Sequence, residues 1–127
     1  MYKSLTTNLM VENVDESVAF YQGILGFAVV DSVPSPSGGL QFAILSRDSL
    51  TLMLQAKSSL VEEYPTLATP QVHPSVTLYI AVDNFAALYQ ELKEKHEILK
   101  DVHETFYGTK EFAIADNNDY VLTFTSA

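Results

Sequence analysis

The chain has 127 residues, 47% of them apolar and only 18% charged, which suits a single domain able to bury a core without covalent staples. It contains no cysteine, so a disulfide framework, a thiolate nucleophile and a cysteine-based metal cluster are all excluded. Seven basic against sixteen acidic residues give a formal net charge of −9, which argues against nucleic acid and anionic membrane surfaces as partners. No apolar run reaches the roughly 18 residues of a membrane span, and no charged n-region precedes an apolar h-region. The expectation is a soluble, cytoplasmic protein.

The apolar run from Leu9 to Val14 reads as a strand leading into a helix. Asn13, with Glu16 three residues on, forms a capping signal. Val14, Val18, Tyr21 and Leu25 then fall on one helical stripe, and Gly26 stands where a helix ends. Strand-like runs follow at Phe27 to Val33, Leu40 to Leu45 and Leu50 to Gln55, the last two separated by the polar turn Ser46 to Ser49. From Lys57 to Pro74 the pattern breaks into a connector, with a short helix starting at Ser59 and stopped by Pro65.

The second half repeats the order. Val76 to Val82 alternates as a strand, Asp83 or Asn84 caps a helix, and Phe85, Leu88 and Leu92 form its stripe. Lys93, Lys95 and His96 at its end suit the helix dipole. Strands are expected at Glu97 to Lys100, Glu111 to Ala115 and Tyr120 to Thr125, with the turn Asp116 to Asp119 before the last. The strand–helix junctions Val11-Glu12-Asn13 and Val82-Asp83-Asn84 lie 71 positions apart, so an internal duplication of a β-α-β-β-β unit is the economical reading. Module 1 spans about residues 1–56, the connector 57–74 and module 2 about 75–127 of one domain.

The segment from Asn8 to Tyr21, followed by Leu25-Gly26-Phe27, resembles the opening of the vicinal oxygen chelate superfamily, which includes glyoxalase I, bleomycin-resistance proteins and extradiol dioxygenases. Leu52 to Gln55, Val76 to Asp83, Tyr107 to Phe112 and Asp116 to Phe124 are similar to its bleomycin-resistance-like branch. The family's usual Asp-Pro-Asp-Gly turn is replaced by Asp116-Asn117-Asn118-Asp119, whose residue types tolerate a left-handed conformation. The resemblance covers nearly the whole chain and implies an α+β fold of two βαβββ modules, with curved mixed sheets around a shared cleft. It also implies a homodimer, with the connector long enough to exchange modules between chains.

In the superfamily's metal-dependent members four side chains hold one divalent ion. By resemblance those positions fall on Thr6, Met53, Thr77 and Thr123; a two-residue slip would give Asn8, Gln55, Tyr79 and Thr125. Neither set supplies the imidazole or carboxylate donors such an ion needs, so no metal and no cofactor are expected. His73, His96 and His103 have no partner at a recognised ligand spacing and read as surface histidines, with a general-base role open to His73 or His103. No dinucleotide, P-loop or nucleophile-elbow motif is present.

Strand alternation then sorts the faces. Leu50, Leu52 and Leu54 point to the helices, leaving Thr51, Met53 and Gln55 toward the cleft. A symmetric turn at Arg47-Asp48 sets Phe42 opposite Met53 and Leu40 opposite Gln55. Thr77 and Tyr79 face the cleft. A three-residue loop at Asn117 to Asp119 brings Glu111 and Ala113 inward beside Thr123, whereas a two-residue loop would bring Phe112 instead. The expected ligand-binding set is Asn8, Phe42, Met53, Gln55, Thr77, Tyr79, Tyr107, Glu111 and Thr123, with no catalytic residue. An apolar pocket with a few orienting polar groups fits sequestration of a small amphipathic molecule. The rivals are a lyase, isomerase or oxygenase of the same superfamily, and an interaction module with a closed cleft.

Overall fold

The computed structural model describes residues 1–126. The elements in chain order are β1 (Thr7–Val11), α1 (Val14–Gly23), β2 (Ala28–Pro34), β3 (Leu40–Arg47), β4 (Leu50–Ala56) and α2 (Lys57–Glu63), with a 3-10 turn at Pro65–Leu67. They continue as β5 (Thr77–Val82), α3 (Phe85–Lys95), β6 (Lys100–Glu104), β7 (Lys110–Ala115) and β8 (Val121–Ser126). The chain divides into two compact units, Met1–His73 and the remainder from Pro74. Each carries one four-stranded mixed sheet, in the orders β1-β4-β3-β2 and β5-β8-β7-β6. In each unit the first strand runs parallel to the last and the other pairs are antiparallel. The duplication read from the sequence is therefore a duplication of topology.

In the first unit Asn13 caps α1, its side chain accepting from the Glu16 N–H at 2.9 Å. The helix closes on Gly26, whose φ of +69° lets its N–H reach the Gln22 carbonyl while Phe27 N–H reaches Tyr21. Val14, Val18, Tyr21 and Leu25 are buried against Leu9, Val11, Ala43, Leu45, Leu52 and Leu54 of the sheet. Leu50, at the hairpin, stays 40% exposed rather than joining that core. The segment after β4 belongs to this unit. Lys57 lies 3.6 Å from the Glu12 carboxylate and donates to the Pro70 carbonyl, and Val72 N–H donates to Glu12 at 2.8 Å.

The second core centres on Phe112, fully buried, whose ring meets Phe85 and Tyr89 of α3 edge-on and stacks on Phe124 at 5.2 Å. Leu92, Ile114, Tyr120 and Leu122 complete it. Asn84 occupies the N-cap position of α3 but its side chain makes no capping hydrogen bond, and Asp83 lies outside the helix.

Several boundaries differ from the sequence reading. The first strand is Thr7–Val11, with Val14 already helical, and α2 begins at Lys57 rather than Ser59. The sixth strand is Lys100–Glu104, not Glu97 to Lys100, because the polar run 100–104 pairs with β7 through a register shift between Lys100 and His103. The β3–β4 hairpin turns at Asp48-Ser49, with Asp48 at φ +49° and Arg47 opposite Leu50. This moves the pairing by two residues: Phe42 lies opposite Gln55 and Ile44 opposite Met53, correcting the expected Phe42–Met53 and Leu40–Gln55 pairs. A two-residue slip preserves the face, so Phe42 still shares its side of the sheet with Met53 and Gln55. The β7–β8 loop has three residues as one reading required, closed by Asp116 N–H to the Tyr120 carbonyl with Asp119 at φ +68°.

Candidate functional site: the open sheet faces

One face of each sheet packs on its helices; the other carries the residues singled out from the sequence. On the first sheet Asn8 of β1 is the register neighbour of Met53 of β4, and Met53 is half-buried. Asn8 Nδ2 donates to Gln55 Oε1 at 2.9 Å, and Gln55 Nε2 donates to Ser59 Oγ at 3.0 Å and Glu63 Oε1 at 3.1 Å. Gln55 is thus buried and hydrogen-bonded to Asn8 and to α2, while Phe42, Ile44 and Met53 supply a half-buried apolar surface.

The second open face is acidic at its centre. Glu111 of β7 is 5% exposed and lies opposite Thr125 of β8 and His103 of β6. Three hydroxyls donate to one of its oxygens, Oε2: Tyr79 at 2.5 Å, Tyr107 at 3.0 Å and Thr109 at 3.1 Å. These donors, the Tyr79 hydroxyl foremost, hold the Glu111 carboxyl below the usual carboxylate range against the opposing effect of desolvation. The same pairing pushes the Tyr107 phenol up to about 12, because ionising it would place an anion beside Glu111. Thr125 is close enough to favour the charged carboxylate, yet its hydroxyl is buried and meets no partner in hydrogen-bonding geometry. Tyr79 is the register neighbour of Thr123, and Thr77 stands exposed at the start of β5.

Five of the predicted residues therefore lie in the second unit, with Tyr79, Tyr107 and Glu111 in direct contact, and four lie in the first. Thr109 and Thr125 belong to the Glu111 cluster but were not in the predicted set. Alternation along β8 from Thr123 could have indicated Thr125; the loop residue Thr109 lies in the family-like stretch Tyr107 to Phe112, but strand parity does not reach it. The histidines do not converge. His96 and His103 are half-buried, His96 beside the Ala115 carbonyl at 2.9 Å and His103 with Nδ1 3.0 Å from the Asp101 carbonyl, and His73 is exposed near Gln71.

The sequence matches the family described as Glyoxalase/Bleomycin resistance protein/Dioxygenase superfamily over residues 3–124. The chain belongs to this superfamily. No curated protein matches it. Among solved structures it is similar to TioX from Micromonospora sp. ML1, at 15% identity and TM-score 0.79 with 98% of each chain covered. A glyoxalase/bleomycin resistance protein/dioxygenase from Nocardioides gives 16% identity and TM-score 0.80, covering 99% of this chain and 84% of that one. A glyoxalase-related enzyme from Fulvimarina pelagi gives 16% and 0.78, covering 100% and 89%. These likenesses establish the glyoxalase/bleomycin resistance fold.

The superfamily's metal site can be tested on donor chemistry. Thr6 lies exposed before β1, and the β1 residue beside Met53 is Asn8; the residue beside Thr123 is Tyr79. Hydroxyls, an amide and a thioether do not fit a divalent ion, whichever of the two registers is taken. Among the described residues no group of three or more His, Asp or Glu side chains could hold a metal.

Proposed function

We propose that this superfamily member binds a small amphipathic molecule without a metal ion and without transforming it. The observation that carries the reading is the second open face, where a buried carboxylate is held charged by hydroxyl donors beneath two half-exposed tyrosine rings, Tyr79 at 59% and Tyr107 at 55%. A few fixed polar groups set among apolar surface are the usual composition of a ligand site. The Tyr107 hydroxyl keeps its proton to about 12 and is therefore not an activated nucleophile. On the first unit Asn8, Phe42 and Met53 offer a second, more apolar surface.

Met53→Trp tests the apolar surface of the first unit. The residue is half-buried on an open face, so the added volume enters accessible space and should block a ligand there while leaving folding nearly intact. Native mass spectrometry of the purified protein reads out any co-purifying compound, and elemental analysis reads out metal. One equivalent of a bound transition metal, or turnover of a compound found in this way, overturns the reading. The chain is further proposed to work as a homodimer, supported by the exposure of Met1, Tyr2, Leu5 and Phe106, all above 90%. Sedimentation yielding only the 14.1 kDa species at micromolar concentration refutes this.

A further inference from the structure

The polar side chains at one end of the first open face hold one another in a fixed order of donor and acceptor. Glu63 of α2 lies 3.1 Å from the Gln55 amide, and an ionised carboxylate can only accept. The Gln55 atom facing it must therefore be Nε2, since Oε1 in that place would set two acceptors against each other. The second Nε2 hydrogen goes to Ser59 Oγ at 3.0 Å, where a hydroxyl would suit either end of the amide. Gln55 Oε1 is thereby turned toward Asn8, whose Nδ2 donates to it at 2.9 Å. Gln55 is buried with both hydrogens used, so it cannot turn over without breaking the Glu63 bond. An amide carries its nitrogen and oxygen on opposite sides, so Asn8, with Nδ2 committed to Gln55, aims Oδ1 away from that pair. Asn8 is exposed, and among the described residues nothing donates to its Oδ1. Met53 stands beside Asn8 in the register and Ile44 beside Met53, both half-buried.

We propose that Asn8 Oδ1 is a pre-set acceptor that selects apolar ligands carrying a neutral N–H donor, a secondary carboxamide being the fitting class, with the skeleton lying on Met53 and Ile44 and with Glu63 as the positioning residue. The inference rests on the binding reading above and names what its first-unit surface selects. Neighbouring strands lie about 4.8 Å apart, so a benzene ring over Met53 and Ile44 brings an attached amide N–H within reach of Asn8 on the next strand. The hydrogen bond gained replaces one made by water, so its net worth is modest. A ligand oxygen in the same place loses its bond to water and meets another acceptor, so selection against acceptors is the stronger effect. An ionised acid adds repulsion from a chain with a formal charge of −9. An ammonium is served poorly, because one neutral oxygen among apolar side chains does not repay the cost of stripping water from a cation.

The experiment titrates the full chain with N-methylbenzamide and methyl benzoate, which share a skeleton and shape and differ by N–H against O. NMR shifts of the Asn8 side-chain amide and the Met53 methyl report affinity and place. The ester is the more lipophilic probe and wins on apolar contact alone; the oriented acceptor reverses this, so the amide should bind about fivefold more tightly, the scale of one neutral hydrogen bond. Asn8→Leu should erase or invert the preference. Glu63→Gln can donate as well as accept, so it no longer holds Gln55 in one sense, and the ratio of the two affinities should fall toward parity while both probes still bind. A merely structural role for Glu63 would weaken both probes alike and leave the ratio unmoved. An ester bound as tightly as the amide, or a ratio unchanged in Glu63→Gln, overturns the inference and leaves the binding reading standing. Shifts placed away from Asn8 and Met53, or no binding of either probe at millimolar concentration, overturn it too, and the search for a co-purifying compound then judges the binding reading separately. The ratio measured on the unmodified chain does not depend on either variant folding.

Discussion

Phe112→Ala tests the β7 register on which the Glu111 cluster depends. Neighbouring residues of a strand point to opposite faces, so Glu111 lies on the open face only if Phe112 lies on the helix face. The Phe112 ring is fully buried against three others, Phe85, Tyr89 and Phe124, at centroid distances of 5.4, 5.2 and 5.2 Å. Truncating a buried phenylalanine costs about 3–5 kcal/mol, and aromatic pairs contribute beyond area alone, which places this site toward the upper part of the range. A loss of about 4 kcal/mol is a large share of a typical domain's stability and lowers the melting temperature by about 16 °C, taking about 4 °C per kcal/mol. Circular dichroism through heating and through urea measures it. Glu94→Ala is the control: the residue is exposed on α3 and should change stability by no more than about 0.5 kcal/mol. A cost below about 1.5 kcal/mol for Phe112→Ala would refute the register and, with it, the placing of Glu111 beside Tyr79.

Asn13→Ala removes the cap on α1 and should cost about 1 kcal/mol, visible as a shift in urea midpoint without a change in slope. Because Glu111's carboxyl is held below its ordinary range, its contribution is present above the unfolded value of about 4.3 and lost as pH falls through the folded value. Melts from pH 5 downward should therefore converge for wild type and Glu111→Gln; Tyr79, Tyr107 and His103 are the titratable neighbours facing the group, and a constant gap between the two proteins refutes the assignment. Tyr107 has the opposite sign: its contribution is complete below about 10 and fades as pH rises through about 12. Phenolate absorbance, assigned by difference against Tyr107→Phe, should show this step near 12 and move it toward 10 in Glu111→Gln; an unmoved step counts against the pairing.

Much of this protein follows from short-range pattern. The helical stripe Val14-Val18-Tyr21-Leu25, the Asn13 cap and the Gly26 stop are local, and each stands in the structure as the residues require. The repeated order of strand and helix imposes the same strand order on both units, because each must close its first strand on its last. Alternation assigned the faces of β4 and β5 for the same reason, since a side chain's side of a sheet is set by parity, and left β7 two choices that the three-residue loop after Asp116 decides. Pairing is another matter. The β3–β4 register was decided by a two-residue turn at Asp48-Ser49 and by Arg47, whose guanidinium bonds the Leu25 carbonyl at the end of α1. Nothing within the hairpin encodes that contact. The polar run 100–104 has no strand pattern of its own and is a strand because β7 offers an edge. The same holds for the candidate site. Sequence parity placed Tyr79 and Thr123 on open faces and left Glu111 or Phe112 to the length of the β7–β8 loop, while three donors converging on one oxygen of Glu111 depend on loop geometry and on strands brought together from distant parts of the chain. Hydrogen-bond partners are chosen by distances of a few tenths of an ångström, and only the folded chain sets those.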